Sequence, residues 1–379
     1  MGLKKLTILT FVQLLILSIF AGNLAYSMDM NPTNVKTTAG EETLTYSYDE
    51  LLRLALNNSS ELRRRKIEVE RSEIMREEAA RAKKYTPVGH GGTIEDAMAV
   101  GALRGLLAAD INLEVNKRQL ETEEDKLAYE VLEGYNKLLL AKSQLNLRQK
   151  AEGVMKRELT IANLRHSYGQ VSSFERMMAE KNYHEAVKQL DTAKASLEAA
   201  FLELNNLAGL SIDLRYELAE KEGEEKTLPE LEAHIRKMLN DNPNIWALEQ
   251  RVKLAELAVN LYTYNVGDEP FRVKEMDVST AKLTLNNSKE IMENSLRSLY
   301  QSLEQMEKAI DILEINLEKA RENLGLTELR VELGMAIPLE VQKLEKLIAE
   351  LDYQLLQSIA RHEEMSVVYE KPWVVSGVL

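Results

Sequence analysis

Cysteine is absent from all 379 residues. Disulfides, thiolate chemistry, zinc–cysteine sites and a lipidated cysteine anchor are therefore excluded. Proline and glycine are scarce, at 7 and 17 residues, and with abundant Ala, Leu, Glu and Lys this makes a helix-rich composition. Basic residues are outnumbered 48 to 61, a net charge of −13, which argues against the basic stripe a nucleic-acid binder needs. Beyond the N-terminus no stretch reaches the ~18–20 apolar residues of a membrane-spanning helix. The five histidines, His90, His166, His184, His234 and His362, show no H-E-x-x-H or similar metal spacing. Gly89-His90-Gly91-Gly92 lacks the Lys-Ser/Thr of a phosphate loop and reads as a turn, and no G-x-S-x-G occurs. The sequence thus points to no enzyme, cofactor or metal.

The first residues read as an export signal. Lys4 and Lys5 precede an apolar run, Leu6 to Ala21, broken only by Thr7, Thr10, Gln13 and Ser18. Ala25-Tyr26-Ser27 fits a small-residue cleavage site, which would start the mature chain at Met28. The other reading of this run is an uncleaved N-terminal anchor. Residues 28–43 form a polar leader.

From there helical patterns dominate. A short helix is expected over Tyr48–Leu56 and a charged one over Glu61–Lys84, ended by the breakers of Tyr85–Gly92. Ile94–Ala109 reads as helix, either lying on a membrane, capping a tunnel, or buried at an interface. A long helix follows from about Ile111 to His166, with Leu127, Val131, Leu138, Ala141 and Leu145 on one seam. After a turn at Tyr168–Ser172, with Ser172 or Ser173 as N-cap, the return helix carries Ala179, Tyr183, Ala186, Leu190, Ala193, Leu197, Ala200, Leu204 and Leu207 and stops at Ala208-Gly209. A polar linker, residues 211–227, precedes a second round. A short helix opens at Pro229, and another runs from Asn244 to about Tyr264. A second long helix is expected from about Ser279 to Glu332. Leu296, Leu299, Leu303, Met306, Ile310, Leu313, Leu317, Ala320 and Leu324 hold heptad spacing, which implies left-handed coiled-coil packing. Gly334–Pro338 is its turn and Leu339–Tyr369 its return.

The second half repeats the first. A shift of 165 residues places Leu164-Arg165 on Leu329-Arg330, Gly169 on Gly334 and Phe174-Glu175 on Leu339-Glu340; a shift of 183 places Leu56-Asn57 on Leu239-Asn240. Such duplication implies pseudo-symmetry. Ala128, Leu132, Tyr135 and Leu139 form a second apolar stripe beside the first seam. Helices sticky on two sides assemble as a wall, and a wall closes as a ring of several subunits. The expected fold class is all-α: two tandem repeats (residues 44–210 and 228–370) of long antiparallel helical hairpins, then a tail, 371–379.

These features resemble the TolC-type outer-membrane efflux family over about residues 44–369. The stretches that carry the resemblance are Tyr48–Asn58, the Tyr168-Gly169-Gln170-Val171-Ser172-Ser173-Phe174-Glu175 turn with its return to Leu204–Gly209, and Leu333-Gly334-Met335-Ala336-Ile337-Pro338-Leu339-Glu340. The resemblance implies a homotrimeric α-tunnel in the cell envelope, a passive conduit working with a periplasmic adaptor and an inner-membrane pump. It places adaptor docking at Gly169, Gln170, Val171 and Ser172 and at Gly334, Met335, Ala336 and Pro338, and an entrance charge ring at Glu340 and Lys343, where Lys343 departs from an all-acidic pattern. Glu340 is equally well explained as a first-turn acid favoured by the helix dipole. The family's β-barrel is the larger departure. A spanning strand takes ~9–11 residues, and Tyr85–Gly105 and Val259–Val278 are too short to hold the strands, with Tyr262, Tyr264, Phe271 and Val273 the only strand-like hints. A conduit with a reduced barrel is one functional reading; a non-transport coiled-coil scaffold of the envelope is the other.

Overall fold

A computed structural model of the chain describes residues 44–86, 94–219, 228–262 and 269–375. The expected export signal and leader lie outside the described residues, as does Tyr264. The described residues are almost wholly helical. A two-residue strand β1 (Thr45–Tyr46) leads into α1 (Tyr48–Asn58) and α2 (Ser60–Tyr85); α3 (Ile94–Ser167) and α4 (Ser173–Ala208) form the first hairpin. Strand β2 (Glu217–Leu218) pairs in parallel with β1. The second round is α5 (Leu231–Asp241), α6 (Pro243–Asn260), α7 (Phe271–Glu332) and α8 (Pro338–Glu370), followed by a short 3-10 turn, Pro372–Val374.

The helix boundaries themselves repeat. Moving α1 by 183 residues gives α5 at both ends, and the start of α2 gives the start of α6. Moving the end of α3 and the start of α4 by 165 gives the end of α7 and the start of α8. The two shifts differ by eighteen residues, so the second repeat has a shorter arm, through α6 and the start of α7. Local chemistry sets several of these ends. Ser47 caps α1 in a reciprocal pair with Glu50, Ser59 caps α2, and Asn242 caps α6 with Pro243 in its first turn.

Two sequence-based expectations are corrected. The long helix does not begin near Ile111: the helical Ile94–Ala109 runs straight into it, and α3 is continuous for 74 residues, about 110 Å at 1.5 Å per residue. No proline interrupts it, and its Gly101 and Gly105 stand in open space, so nothing breaks the hydrogen-bond ladder. Residues 98–109 are exposed or half-buried in the single chain. Phe271 and Val273 are not strand residues: α7 starts at Phe271, where Pro270 fixes the entry.

The helices form one layer. α2 and α4 pack in succession along α3, α3 packs on α6 and α8, and these pack in turn on α7. The order is thus α2–α3–α6–α7 in one half and α4–α3–α8–α7 in the other. The predicted seams face their partners: Val131, Leu138 and Leu204 in the first hairpin, and Leu296, Leu303, Leu317 and Ala320 in the second, are buried. Each repeat gathers its largest core where its short helix packs: Leu51, Ala55, Tyr135 and Phe201 in the first, Ile235, Met238, Met292 and Tyr369 in the second. The connection after α4 is pinned to the first of these, because buried Asn205 donates to the carbonyls of Ser211 and Leu214 at 3.0 and 3.1 Å. Trp246 lies under the Arg118 guanidinium, 4.4 Å from its ring centre, and Trp373 donates to Asp125 at 2.8 Å; both tie the second repeat to α3.

Candidate functional site

The best-defined surface is the pair of hairpin turns. At the first, the Gly169 N–H donates to His166 O (2.9 Å) and the Gln170 N–H to Arg165 O (2.9 Å). At the second, Gly334 donates to Val331 O (3.0 Å) and Met335 to Arg330 O (2.7 Å). Every donor and acceptor is displaced by the same 165 residues. Both turns are Schellman caps, which place one residue in the left-handed region, and the two glycines have φ of +67° and +70°. The repeat therefore reaches individual backbone hydrogen bonds.

Beyond the glycine the turns diverge. In the first, Val171 O accepts a hydrogen bond from His166 Nδ1 at 3.1 Å, and Ser172 caps α4 in a reciprocal pair with Glu175. The backbone N–H of Ser172 bonds the Glu175 carboxylate at 2.7 Å and, with the Ser172 hydroxyl, holds its pKa below the usual range. In the second turn, Ile337 is extended and Pro338 opens α8 without a side-chain cap.

The turns share one end of the layer. Lys343, in the first turns of α8, reaches Glu158 near the end of α3 at 2.7 Å, and Lys150 reaches Glu345 at 3.6 Å. The Lys343 charge is thus neutralised within the chain. Glu340 lies exposed in the first turn of α8, its N–H bonded to Ile337 O at 2.9 Å. Gly169, Gln170, Ser172, Gly334, Met335 and Pro338 are exposed, and Val171 and Ala336 half-buried.

Sequence reasoning missed the apolar character of this end. Tyr168 (74% exposed), Phe174, Met335 (76% exposed) and Ile337 flank the glycines, and Leu164 and Leu329, again 165 residues apart, stand exposed one turn back. Large apolar groups gathered on an exposed surface mark interaction sites. The signal was present as two aromatics bracketing Gly169 in an otherwise polar turn. Among the described residues no cluster of His, Asp or Glu is placed to hold a metal ion, and no helix is long and apolar enough to cross a membrane.

No protein-family model matches the chain, and no curated protein matches it by sequence. Solved structures do. A membrane protein from Pseudomonas aeruginosa superposes with a TM-score of 0.66 at 11% identity, over 93% of this chain and 97% of its own. The Campylobacter jejuni CmeC outer membrane channel gives 0.65 at 11%, over 93% of both chains. The open state of the Neisseria gonorrhoeae MtrE outer membrane channel gives 0.58 at 16%, over 85% of this chain and 88% of its own. The likeness is one of fold, and it agrees with the TolC-type resemblance read from the residues.

Proposed function

We propose that this chain is an exported member of the TolC-type family and one subunit of a homotrimeric helical conduit in the cell envelope, which passes cargo without chemistry of its own. The observation that carries the reading is the layer's two unpaired edges. α3 and α8 are flanked on both sides, whereas α4 and α7 do not pack on each other. The α7 edge exposes Leu283, Ile312, Ile315, Leu326 and Leu329, and the α2–α4 edge exposes Ile67, Ile74, Met178 and Leu202. Apolar stripes on both edges of a layer are satisfied when the edge of one copy meets the opposite edge of the next, a heterologous contact that makes a ring where the rotation closes. In this reading the two turns dock an adaptor that leads to an inner-membrane pump, and Glu340 contributes one acidic ring to the entrance.

The second reading, a non-transport scaffold, is favoured by one observation. Only residues 86–93 join α2 to α3, and only residues 261–270 join α6 to α7, fewer than two spanning strands of ~9–11 residues require. Two experiments separate the readings. The chain has no native cysteine, so Ser196→Cys on α4 with Ile315→Cys on α7 provides a clean cross-link. A ladder ending at three, with a central opening by electron microscopy, supports the conduit; a monomer or a solid rod refutes it. Adaptor binding is tested by Tyr168→Ala with Met335→Ala, which should weaken capture by at least about tenfold if these are anchor residues. Unchanged capture removes the docking assignment.

A further inference from the structure

The seam between the repeats holds a polar cluster that the conduit reading does not use. Asn136 of α3 is 2% exposed. Its amide donates to Ala360 O at 3.3 Å and to Glu364 Oε1 at 3.1 Å, both on α8. Glu364 is half-buried and has no ion pair among the described residues. Besides the Asn136 amide, two carboxylates and one guanidinium act on it. Glu133 comes from α3, with the Tyr129 hydroxyl bonded to it, and Glu363 comes from α8, close to the Tyr48 and Tyr135 rings of α1 and α3. Arg361 is the one cation with a resolved influence on Glu364. Glu364 thus sits beside a buried amide where α8 packs on α3, within electrostatic reach of the exposed Glu133 and of its neighbour Glu363.

We propose that this cluster is a proton-operated clasp: uptake of one proton at Glu364 tightens the packing of the second repeat on the first. A neutral Glu364 keeps its carbonyl oxygen for the Asn136 amide and no longer repels Glu133 and Glu363. Burial, followed by those two carboxylates, pushes the Glu364 pKa up, against the opposing pull of the Asn136 hydrogen bond. The sign follows. The folded value lies above the unfolded one, so the stabilisation is complete below the ordinary carboxylate range and is lost as pH rises through the raised value. The seam therefore tightens as pH falls through the raised value and loosens as pH rises through it, independently of whether the assembly conducts.

The test is hydrogen exchange on the purified chain at pH 5.5 and 7.5, corrected for the intrinsic pH dependence of exchange. Residues 128–140 and 356–368 should be better protected at pH 5.5 than at pH 7.5. Glu364→Gln keeps the acceptor and removes the charge. It should hold the high-protection state at both pH values, with residues 296–327 of the second hairpin unaffected. Equal pH dependence in the wild type and Glu364→Gln overturns the proposal. If Glu364→Gln does not fold, Glu133→Gln at its exposed position should flatten the pH dependence, and an unchanged slope refutes the clasp.

Discussion

Gly209 and Gly334 share a backbone conformation, with φ of +69° and +70°, but not a neighbourhood, and alanine at the two positions separates backbone cost from packing cost. At Gly334 an added Cβ meets nothing within 4 Å. Gly334→Ala then pays only for an L-residue in the left-handed region, about 1–2 kcal/mol. At Gly209 the same atom would stand 2.5 Å from Asn58 Nδ2 and 2.8 Å from its Cβ and Cγ. That side chain is not free to retreat, because its amide donates to Ala208 O at 2.8 Å and joins α1 to the end of α4. Gly209→Ala should therefore add the loss of this hydrogen bond, roughly 0.5–1.5 kcal/mol, and some displacement of α1, for a total of about 2–4 kcal/mol. Equilibrium urea unfolding followed by circular dichroism at 222 nm measures both. Gly334→Asn should be nearly silent, since asparagine tolerates this conformation. Equal costs for the two alanine variants would refute the idea that the Asn58 contact fixes the α1–α4 junction.

Other expectations follow from the packing. Leu296→Ala removes a fully buried seam residue of α7 and should cost about 2–5 kcal/mol by the same urea assay. Asp125 binds Lys371 Nζ at 2.6 Å and Trp373 Nε1 at 2.8 Å; in a Trp246→Phe background, Asp125→Asn should shift the fluorescence of the one remaining tryptophan to the red as the tail detaches. Glu50, Glu175 and Glu232 have pKa values lowered by hydrogen bonds from Ser47, Ser172 and Arg297 respectively, so their contribution is present above the ordinary carboxylate range and fades as pH falls through the lowered values. Thermal melting should show this as a loss below about pH 4.5, the reverse of the Glu364 effect.

The sequence made the rods and their turns legible because the relevant forces are local. Heptad spacing from Leu296 to Leu324 dictates which face of α7 is buried, and Gly169 and Gly334 announce themselves by position after a Leu-Arg pair. What the sequence did not disclose depends on distant partners. The merger of Ile94–Ala109 into α3 rests on the absence of a breaker, a weaker signal than the presence of one. The pairing of Lys343 with Glu158 and of Asn136 with Glu364 needed the α3–α8 register, which no local pattern encodes. Tyr168 and Phe174 carry no periodicity, so their joint exposure emerged only with the turn in place.

The unequal arms of the two repeats have a consequence for the end opposite the turns. Arg104 of α3 donates to Leu261 O at the close of α6, and α3 extends ten residues farther, to Ile94, about 15 Å at 1.5 Å per residue. In the trimer proposed above, copies arranged around an axis would present three projecting α3 ends there, not a level collar.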